Sequence, residues 1–422
     1  MTIKWPQFEL GTLAEFRNGL NYTQAARAHG GLPIVGVKDF QSRSVVEFNG
    51  LEELDPSAVD CGDITLRQGD ILFVRSNGNR DLIGRSLLVT RPPLRTTTFS
   101  GFTIRLRFKD DRCDPRFFAY VLRGPLIRSL LSSQGGGTNI NNLNQGILSR
   151  LRVPLPPLQT QLRVASILGA YDDLIGINQR RIKLLEETAD RLYEEWFVRF
   201  RFPGHERHKI IEYTNGRCPQ GWQFRRIGEL TSFLSRGIPP KYDEAASTLV
   251  ISQKCIRDRR LSLALARKQS RAVPSEKLIR PGDVLINSTG VGTLGRVAQV
   301  EATAEGLTVD SHVTIARPRT DVDRDFFGIS MLRLEPMFER LGAGATNQTE
   351  LNRSRIAQLP LLEPPVELRS AFGRHARPIR ALAFQLDKQN GTLAISRDLL
   401  LPRLISGLLT ISPAEREQES AA

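Results

Sequence analysis

Side chains of the types that recognise nucleic acids cluster in two turn-rich parts of this 422-residue chain, one in each half. Arginine, asparagine and lysine read base edges in the major groove, whereas serine, threonine and further basic residues hold phosphates. Any one candidate could be an ordinary surface residue, but their concentration on corresponding loops predicts a nucleic-acid interface. The candidates are Arg17, Asn18, Tyr22, Lys38, Arg75, Asn77, Asn79 and Arg80 in the first half, and Arg236, Lys241, Tyr242, Lys254, Arg257, Asn287, Ser288 and Thr289 in the second.

The charge balance supports this interpretation. The chain has 59 Lys and Arg against 45 Asp and Glu, a formal net charge of +14 and a pI of about 10.1. Such an excess of positive charge is typical of proteins that bind polyanions, most often nucleic acids. Of the 59 basic residues 49 are arginine, whose planar guanidinium suits bidentate contacts to phosphate and guanine. GC-rich codon usage is the alternative explanation for the arginine bias.

Nucleotide-binding and methyltransferase motifs are absent or out of context. Gly290-Val-Gly292-Thr-Leu-Gly295 has the spacing GxGxxG, but it lies between two strand-like runs rather than between a strand and a helix, which predicts a hairpin turn. No GxxxxGK[ST] motif occurs, so a P-loop ATPase is not indicated. Gly237 to Tyr242 contains Pro-Pro-Tyr without the leading Asn or Asp of amino-methyltransferases and is interpreted as a turn.

No metal site is predicted either. His205 and His208 with Cys218 lack an evident fourth ligand and lie in a polar connecting segment, so a solvated linker is favoured. The four cysteines are scattered without a CxxC pair, which argues against a disulfide scaffold or structural zinc. The sequence shows no membrane-spanning run and no N-terminal signal peptide. We therefore expect a soluble, cytoplasmic protein.

An internal repeat organises these residues. The two halves share a series of short motifs in the same order, at offsets close to half the chain length, so the sequence predicts a tandem duplication. The matched motifs are Gly11–Phe16 with Gly228–Phe233, Leu66–Phe73 with Ile279–Ile286, Ile83–Arg85 with Leu294–Arg296, Gly137–Asn139 with Ala345–Asn347, Pro156–Pro157 with Pro364–Pro365, and Arg191–Leu192 with Arg403–Leu404.

The first part of each half has the pattern of short strands. Asp70 to Val74 and Ser86 to Val89 are apolar runs joined by the turn-prone Ser76-Asn-Gly-Asn79, which predicts a β-hairpin. Phe117 to Leu131 has apolar residues on one side, which predicts a single helix. A loop follows at Gly135–Gly137.

The second part of each half has a helical period. Apolar residues recur every three or four positions over about forty residues, which predicts two long amphipathic helices of about 60 Å. These stripes can pack against each other; two separate helices, each on its own domain, are the alternative. Pro378, Gly391 and Pro402 predict a kinked or frayed second helix. The predicted packing residues are Leu162, Leu168, Ile175, Ile182, Leu185, Leu192, Trp196, Phe372, Ile379, Leu382, Leu386, Leu393 and Leu400.

Taken together, these motifs resemble one known family. Gly69-Asp-Ile-Leu72, then Thr138-Asn139, then Val153-Pro-Leu-Pro-Pro-Leu-Gln159 before a long helix, all repeated once, are similar to the specificity subunit of type I restriction-modification enzymes. The resemblance covers essentially the whole chain. The second half departs from it at Leu359–Val366, which replaces the compact proline box.

The resemblance implies an α/β (α+β) fold with two tandem β-rich target recognition domains separated by two long antiparallel coiled-coil helices. It places the first recognition domain at 1–153, the first helix at 154–200, a linker at 201–220, the second recognition domain at 221–360, the second helix at 361–410 and a disordered tail at 411–422.

It also implies a non-catalytic DNA-targeting subunit. Each domain would read half of a bipartite asymmetric site, and the helices would set the spacer and dock two copies of a modification (methyltransferase) subunit. S-adenosylmethionine, ATP and Mg would be bound by partner subunits, including a restriction (helicase–nuclease) subunit, and no cofactor or metal by this chain. The alternatives are a stand-alone DNA-binding defence or regulatory protein and an adenine DNA methyltransferase.

Overall fold

Two compact units make up the chain. The computed structural model describes residues 5–41, 43–79, 82–133, 143–213, 216–302, 306–342 and 350–409. Unit 1 comprises Met1–Gly176 with Asn390–Ala422, and unit 2 comprises Ile177–Gln389. The units therefore cut across the predicted segments 154–200 and 361–410, because part of each long helix belongs to each unit. The predicted tail at 411–422 lies outside the described residues.

Unit 1 is a β-rich domain with short helices, followed by parts of two long helices. Its strands are β1 (Gln7–Glu9), β2 (Ala14–Asn18), β3 (Arg27–Val35), β4 (Glu52–Leu54), β5 (Ile71–Val74), β6 (Ser86–Leu88), β7 (Thr98–Phe99), β8 (Thr103–Phe108) and β9 (Arg152–Pro154). Its helices are α1 (Leu10–Leu13), α2 (Pro115–Arg123), α3 (Pro125–Ser133), α4 (Gln145–Ser149) and the start of α5 (Leu158–Tyr193).

Unit 2 repeats these elements in the same order and adds two short antiparallel strand pairs, one before them and one between the strands that correspond to β3 and β4. Its strands are β10 (Ile210–Tyr213), β11 (Gly216–Pro219), β12 (Gln223–Arg226), β13 (Thr231–Arg236), β14 (Thr248–Ile251), β15 (Ile256–Arg257), β16 (Arg260–Leu261), β17 (Arg267–Gln269), β18 (Val284–Asn287), β19 (Val297–Gln299), β20 (Leu307–Val309), β21 (Val313–Pro318) and β22 (Pro360–Glu363). Its helices are α6 (Ile227–Leu230), α7 (Arg324–Arg333), α8 (Glu335–Gly342), α9 (Arg353–Gln358) and the first part of α10 (Val366–Ser406).

The sheets of the two units share one topology. The strand orders β2-β8-β5-β6 and β4-β3-β7 in unit 1 correspond to β13-β21-β18-β19 and β17-β14-β20 in unit 2, and the pair β1-β9 corresponds to β12-β22. The predicted hairpins are confirmed, since β5 pairs antiparallel with β6 and β18 with β19. The repeated glycines before β5 and β18 have left-handed φ angles, +89° at Gly69 and +95° at Gly282, which explains glycine there.

The core of unit 1 includes both ends of the long-helix sequence. Leu168 of α5 belongs to the same buried cluster as Leu401 and Leu404 of α10, together with α2 residues such as Phe117. At the edge of this contact, Asp172 accepts a hydrogen bond from the Tyr120 hydroxyl at 2.6 Å and pairs with Arg397. Burial and the Asp172 charge raise the pKa of Tyr120. The segments of α5 and α10 in unit 1 are thus packed side by side.

The helix segments of unit 2 run antiparallel. Near the start of its α5 segment, Ile182 packs with Leu386 and Ala383 of α10. At the end of α5, Ala189 and Tyr193 belong to an aromatic cluster with Phe372, which lies near the start of α10. Successive contacts therefore move forward along α5 and backward along α10.

Three helix predictions need correction. The segment predicted as one helix from Phe117 to Leu131 is two helices separated at Gly124, whose φ of −60° and ψ of 152° leave the helical region. Helix α10 is continuous through Pro378, Gly391 and Pro402, so the expected fraying is not found. Each proline removes one backbone donor, and buried residues such as Ala383 and Leu404 flank these positions.

One predicted packing residue of α10, Leu382, is also not on the buried face of the helix. Leu382 is 43% exposed, whereas Ala383 beside it is buried. The other predicted packing residues are buried or half-buried. None of the described helices is both long and apolar enough to span a membrane.

Candidate nucleic-acid interface

In unit 1, strand ends meet at one edge of the four-stranded sheet. The end of β2 pairs with the start of β8 at Asn18 and Ile104, and the end of β5 pairs with it at Val74 and Thr103. The chain leaves β2 through Gly19, where a Cβ would lie 2.2 Å from the Ser100 carbonyl oxygen. Only glycine therefore fits this close approach, which fixes the position of the preceding side chains.

Three predicted residues lie at this edge. Arg17 and Asn18 are exposed on β2, and Arg17 forms an ion pair with the exposed Asp63 at 3.4 Å. Arg75 is half-buried, and its backbone NH donates to the Phe102 carbonyl at 2.8 Å. Exposed pairs in water contribute little stability, so the guanidinium of Arg17 can exchange Asp63 for a phosphate at low cost.

The turn after Arg75 has one bracing residue and one exposed residue. The side-chain oxygen of Asn77 accepts a hydrogen bond from the backbone NH of Asn79 at 2.8 Å, as in an Asx turn. Asn79 itself is exposed. Arg80, the remaining candidate of this turn, lies outside the described residues.

Lys38 and Tyr22 lie beside the end of β3 and are linked by Glu52. Lys38 is exposed, and its ammonium is 3.2 Å from one carboxylate oxygen of Glu52, whose other carboxylate oxygen pairs with Arg27. Burial and the charge of Glu52 raise the pKa of Tyr22. Because one carboxylate is shared by two cations, this group retains a net positive charge.

Unit 2 builds the same edge. Arg236 ends β13 where that strand pairs with Thr314, and the chain leaves through Gly237, where a Cβ would lie 1.9 Å from the Val309 carbonyl oxygen. Lys254 follows the end of β14 in a short 3-10 turn, as Lys38 follows β3 in unit 1. Lys254 is exposed. The ends of β3 and β14 reach the edge, since the Ser100 NH donates to the Val35 carbonyl and the Asp310 NH to the Ile251 carbonyl, both at 2.9 Å, so a lysine follows the same strand end in both units.

Two predicted residues of this edge do not face solvent. Asn287 and Ser288 are both fully buried. The Asn287 amide nitrogen donates to the carbonyls of Gln253 and Thr293 at 3.1 and 3.0 Å, and the Ser288 hydroxyl is 2.6 Å from that of Thr314. Their burial is incompatible with direct DNA contact, so the prediction is corrected: they hold the turn in place.

Thr289 and Arg236 each have protein partners at the edge. The Thr289 hydroxyl lies 2.8 Å from Nδ1 of His312, and its carbonyl accepts from Gln253 at 2.7 Å. Arg236 is half-buried and pairs with Glu350 at 2.6 Å. Both residues are therefore held in fixed positions beside the exposed Lys254.

The remaining candidates of unit 2 lie elsewhere. Tyr242 pairs with Gln269 next to the start of β14, the opposite end from Lys254, and the Arg267 guanidinium lies 3.6 Å from its ring centroid. Lys241 precedes Tyr242 and is exposed. Arg257 is exposed beside Asp258. The structure does not bring Lys241 and Tyr242 to the sheet edge.

Two further residues of this edge, Phe102 and His312, were not predicted from the sequence. Phe102 is 61% exposed in the turn before β8, and His312 occupies the same position before β21. The sequence signal for Phe102 was an aromatic residue between Gly101 and Thr103, just outside the alternating apolar and polar residues of β8. Burial raises the pKa of the neighbouring Asp310, whose carboxylate accepts from the His312 NH at 2.9 Å.

The other motifs have structural explanations. Gly290 to Gly295 forms the predicted hairpin turn between β18 and β19. The segment of His205 and His208 packs its imidazoles against Phe202 and leads into the β10–β11 hairpin. Within the described part of the chain, no group of three or more potential ligands could hold a metal ion.

Two β-rich domains of one topology, each with a basic sheet edge and joined to long helices, define the fold class. Residues 2–187 match the family model described as type I restriction modification DNA specificity domain. The type I restriction enzyme MjaIX specificity subunit of Methanocaldococcus jannaschii is 23% identical over 90% of this chain and 88% of its own length. The putative MjaX specificity subunit of the same organism is 23% identical over 96% and 94%.

A solved structure agrees on the fold. The type I restriction-modification S subunit from M. genitalium covers 95% of this chain and 96% of its own with a TM-score of 0.58, at 14% identity. The chain therefore carries a type I restriction modification DNA specificity domain over residues 2–187 and is similar to type I restriction enzyme specificity subunits over nearly its whole length.

Proposed function

We propose that this chain is the DNA-reading subunit of a type I restriction-modification complex and that each unit reads one half of a bipartite, asymmetric site. The observation that carries the proposal is the duplicated sheet edge, which presents Arg17 and Lys38 in unit 1 and Lys254 in unit 2 as exposed cations. Cations that neutralise phosphates supply most of the non-specific affinity for DNA. A net charge of +14 favours the same ligand.

The long helices have a second role in this proposal. They set the spacer between the half-sites and dock two copies of a modification (methyltransferase) subunit, to which restriction (helicase–nuclease) subunits are added. Helix α5 alone has 36 residues, or about 54 Å at 1.5 Å per residue. S-adenosylmethionine, ATP and Mg are bound by the partners, and this chain is a non-catalytic targeting subunit in the cytoplasm.

Co-expression of this chain with the methyltransferase encoded by an adjacent gene tests the proposal. Genome-wide mapping of methylated adenines should give one bipartite sequence, and the purified chain alone should neither methylate DNA nor hydrolyse ATP. Methyl transfer by the isolated chain would instead support an adenine methyltransferase. Sequence-specific DNA binding without any association with the methyltransferase would support a stand-alone defence or regulatory protein.

Single lysine substitutions test the duplicated edge itself. Lys38→Ala and Lys254→Ala should each weaken binding of the assembled complex to all duplexes alike and lower the salt slope by about one. Lys109→Ala is the matched control, because Lys109 is exposed but follows the opposite end of β8. An equal loss in the control would place the DNA elsewhere on unit 1.

A further inference from the structure

The turn between β7 and β8 is rigid, yet it exposes a large apolar side chain. The carbonyl of Phe102 accepts hydrogen bonds from the backbone NH groups of Arg75 and Ser76, at 2.8 and 3.4 Å. A Cβ on the preceding Gly101 would lie 2.1 Å from the Asn21 side-chain oxygen. The backbone is therefore fixed from both sides, while the ring is 61% exposed.

Packing within unit 1 does not explain this exposure. An exposed apolar ring forgoes the stabilisation that burial would give, and the hydrogen bonds of this turn are made by the backbone and by the Ser100 and Thr103 hydroxyls, not by the ring. The ring lies at the sheet edge, because Phe102 immediately precedes Thr103, which pairs with the end of β5. The exposed Arg17 and Asn18 end β2 at the same edge. A rigidly held apolar side chain surrounded by polar and cationic side chains is suited to a DNA groove, where it can contact an apolar group on a base.

The equivalent turn in unit 2 repeats the backbone and changes the side chain. The Ser288 NH donates to the carbonyl of His312 at 2.8 Å, as the Arg75 NH does to that of Phe102. The imidazole is exposed, but Nδ1 lies 2.8 Å from the Thr289 hydroxyl. This contact orients the ring and leaves Nε2 as a polar group at its outer end. The two edges thus differ in chemistry at one shared position.

We propose that Phe102 and His312 are the specificity-determining residues of this shared position. Phe102 makes an apolar contact in its half-site, either with a thymine methyl group or by partial insertion at a base step. His312 makes a hydrogen bond to a base edge in the other half-site. The inference rests on the proposed function, because it requires that each sheet edge faces DNA.

Binding of the assembled complex to its mapped site tests the inference. The probes are the cognate duplex, two duplexes each scrambled in one half-site, and one scrambled in both. Phe102→Ala should weaken binding to the cognate duplex by about 10- to 100-fold, the range for a lost specific base contact, and leave the salt slope unchanged. Phe102→Leu should lose less, because it retains an apolar group. His312→Ala should behave in the same way for the other half-site.

Leu94→Ala is the matched control for the loss of an exposed apolar side chain. Leu94 is 100% exposed and precedes β7, at the opposite end of that strand from Phe102. We expect no change in binding for this variant.

The outcomes separate the two proposals. If the wild-type complex does not distinguish the cognate from the scrambled duplex, both the proposed function and this inference fail. If it does, and Phe102→Ala binds within twofold of wild type, the proposed function stands and the inference is overturned. An equal loss on every duplex would also overturn it, because that result indicates a phosphate or folding effect.

Discussion

Arg107 donates two hydrogen bonds of 2.7 Å to the carboxylate of Asp70, one to each oxygen. Asp70 is 1% exposed and also accepts from the Arg67 backbone NH at 2.7 Å. In unit 2, Arg317 donates two hydrogen bonds of 2.8 Å to Asp283, which is equally buried. The repeated Gly-Asp pair of the sequence is therefore a structural device that ties the start of the strand to the neighbouring β8 or β21.

Removing the carboxylate should destabilise the unit that carries it. Asp70→Ala leaves Arg107, which is 21% exposed, without its counter-charge, so we expect a loss of about 3 kcal/mol in the free energy of unfolding. Hydrogen exchange of the β5 amides in urea measures this loss of stability.

Two further variants provide the comparison. Asp283→Ala should destabilise β18 instead of β5. Asp321→Ala removes an exposed partner of Arg319, the residue that lowers the pKa of Asp321 to about 2, and should change little.

The helix contact in unit 1 can be tested with two leucines of α5. Leu168 is fully buried with Leu401 and Leu404, so Leu168→Ala should cost about 2–5 kcal/mol of unfolding free energy through lost burial and the cavity. Leu174, six residues further on, is 39% exposed, and Leu174→Ala should cost far less. Thermal and urea unfolding of both variants provide the comparison. Equal losses would contradict the packing described for unit 1.

The spacer role can be tested by lengthening α5. Inserting four helix-forming residues after Lys183, which is exposed, adds about 6 Å of helix. We expect the methylation map to show a longer spacer with both half-site sequences unchanged. A functional complex with an unaltered spacer would show that the helix does not set this distance.

Cysteine reactivity reports the burial pattern. Cys113, Cys218 and Cys255 are buried, and burial raises the pKa of each thiol, that of Cys113 to about 12. Iodoacetamide at pH 8 should therefore label the half-exposed Cys61 alone in the native protein and all four cysteines in urea, as read by mass spectrometry. Native labelling of Cys113 would contradict its burial.

The same shift gives a sign for stability against pH. The unfolded thiol has a pKa of about 8.5, below that of folded Cys113, so the folded state holds the proton more tightly. This contribution to stability is complete below about pH 8.5 and is lost as the pH rises toward the folded value. The free energy of unfolding should therefore fall between pH 7 and pH 10. For Cys113→Ala the fall, measured from that variant's own value at pH 7, should be smaller.

Local patterns predicted the elements that local chemistry determines. The hairpin from Asp70 to Val89 follows from alternating apolar runs around Ser76-Asn-Gly-Asn79, and the structure confirms it. The repeat and the family resemblance were also visible in short motifs, and the comparisons confirm the resemblance. The fraying expected at Pro378 does not occur, because buried residues hold α10 on both sides of the proline.

The candidate site was harder to predict because exposure depends on contacts between distant segments. Asn287 and Ser288 are residue types common in exposed turns, but Gln253 and Thr314 cover them. Phe102 is a residue type common in protein cores, but the close approach at Gly101 turns its ring outward. Neither effect has a signature within the few residues around the position.

Unit 1 is built from two distant parts of the chain, and this has a consequence for synthesis on the ribosome. Its core includes Leu401 and Leu404 as well as residues from Leu10 onward, whereas unit 2 ends at Gln389. The domain that leaves the exit tunnel first is therefore the last that can complete its core, and until then Leu168 has no partner from α10. A released chain truncated after Gln389 would contain all of unit 2 and leave the apolar stripe of unit 1 open to chaperones.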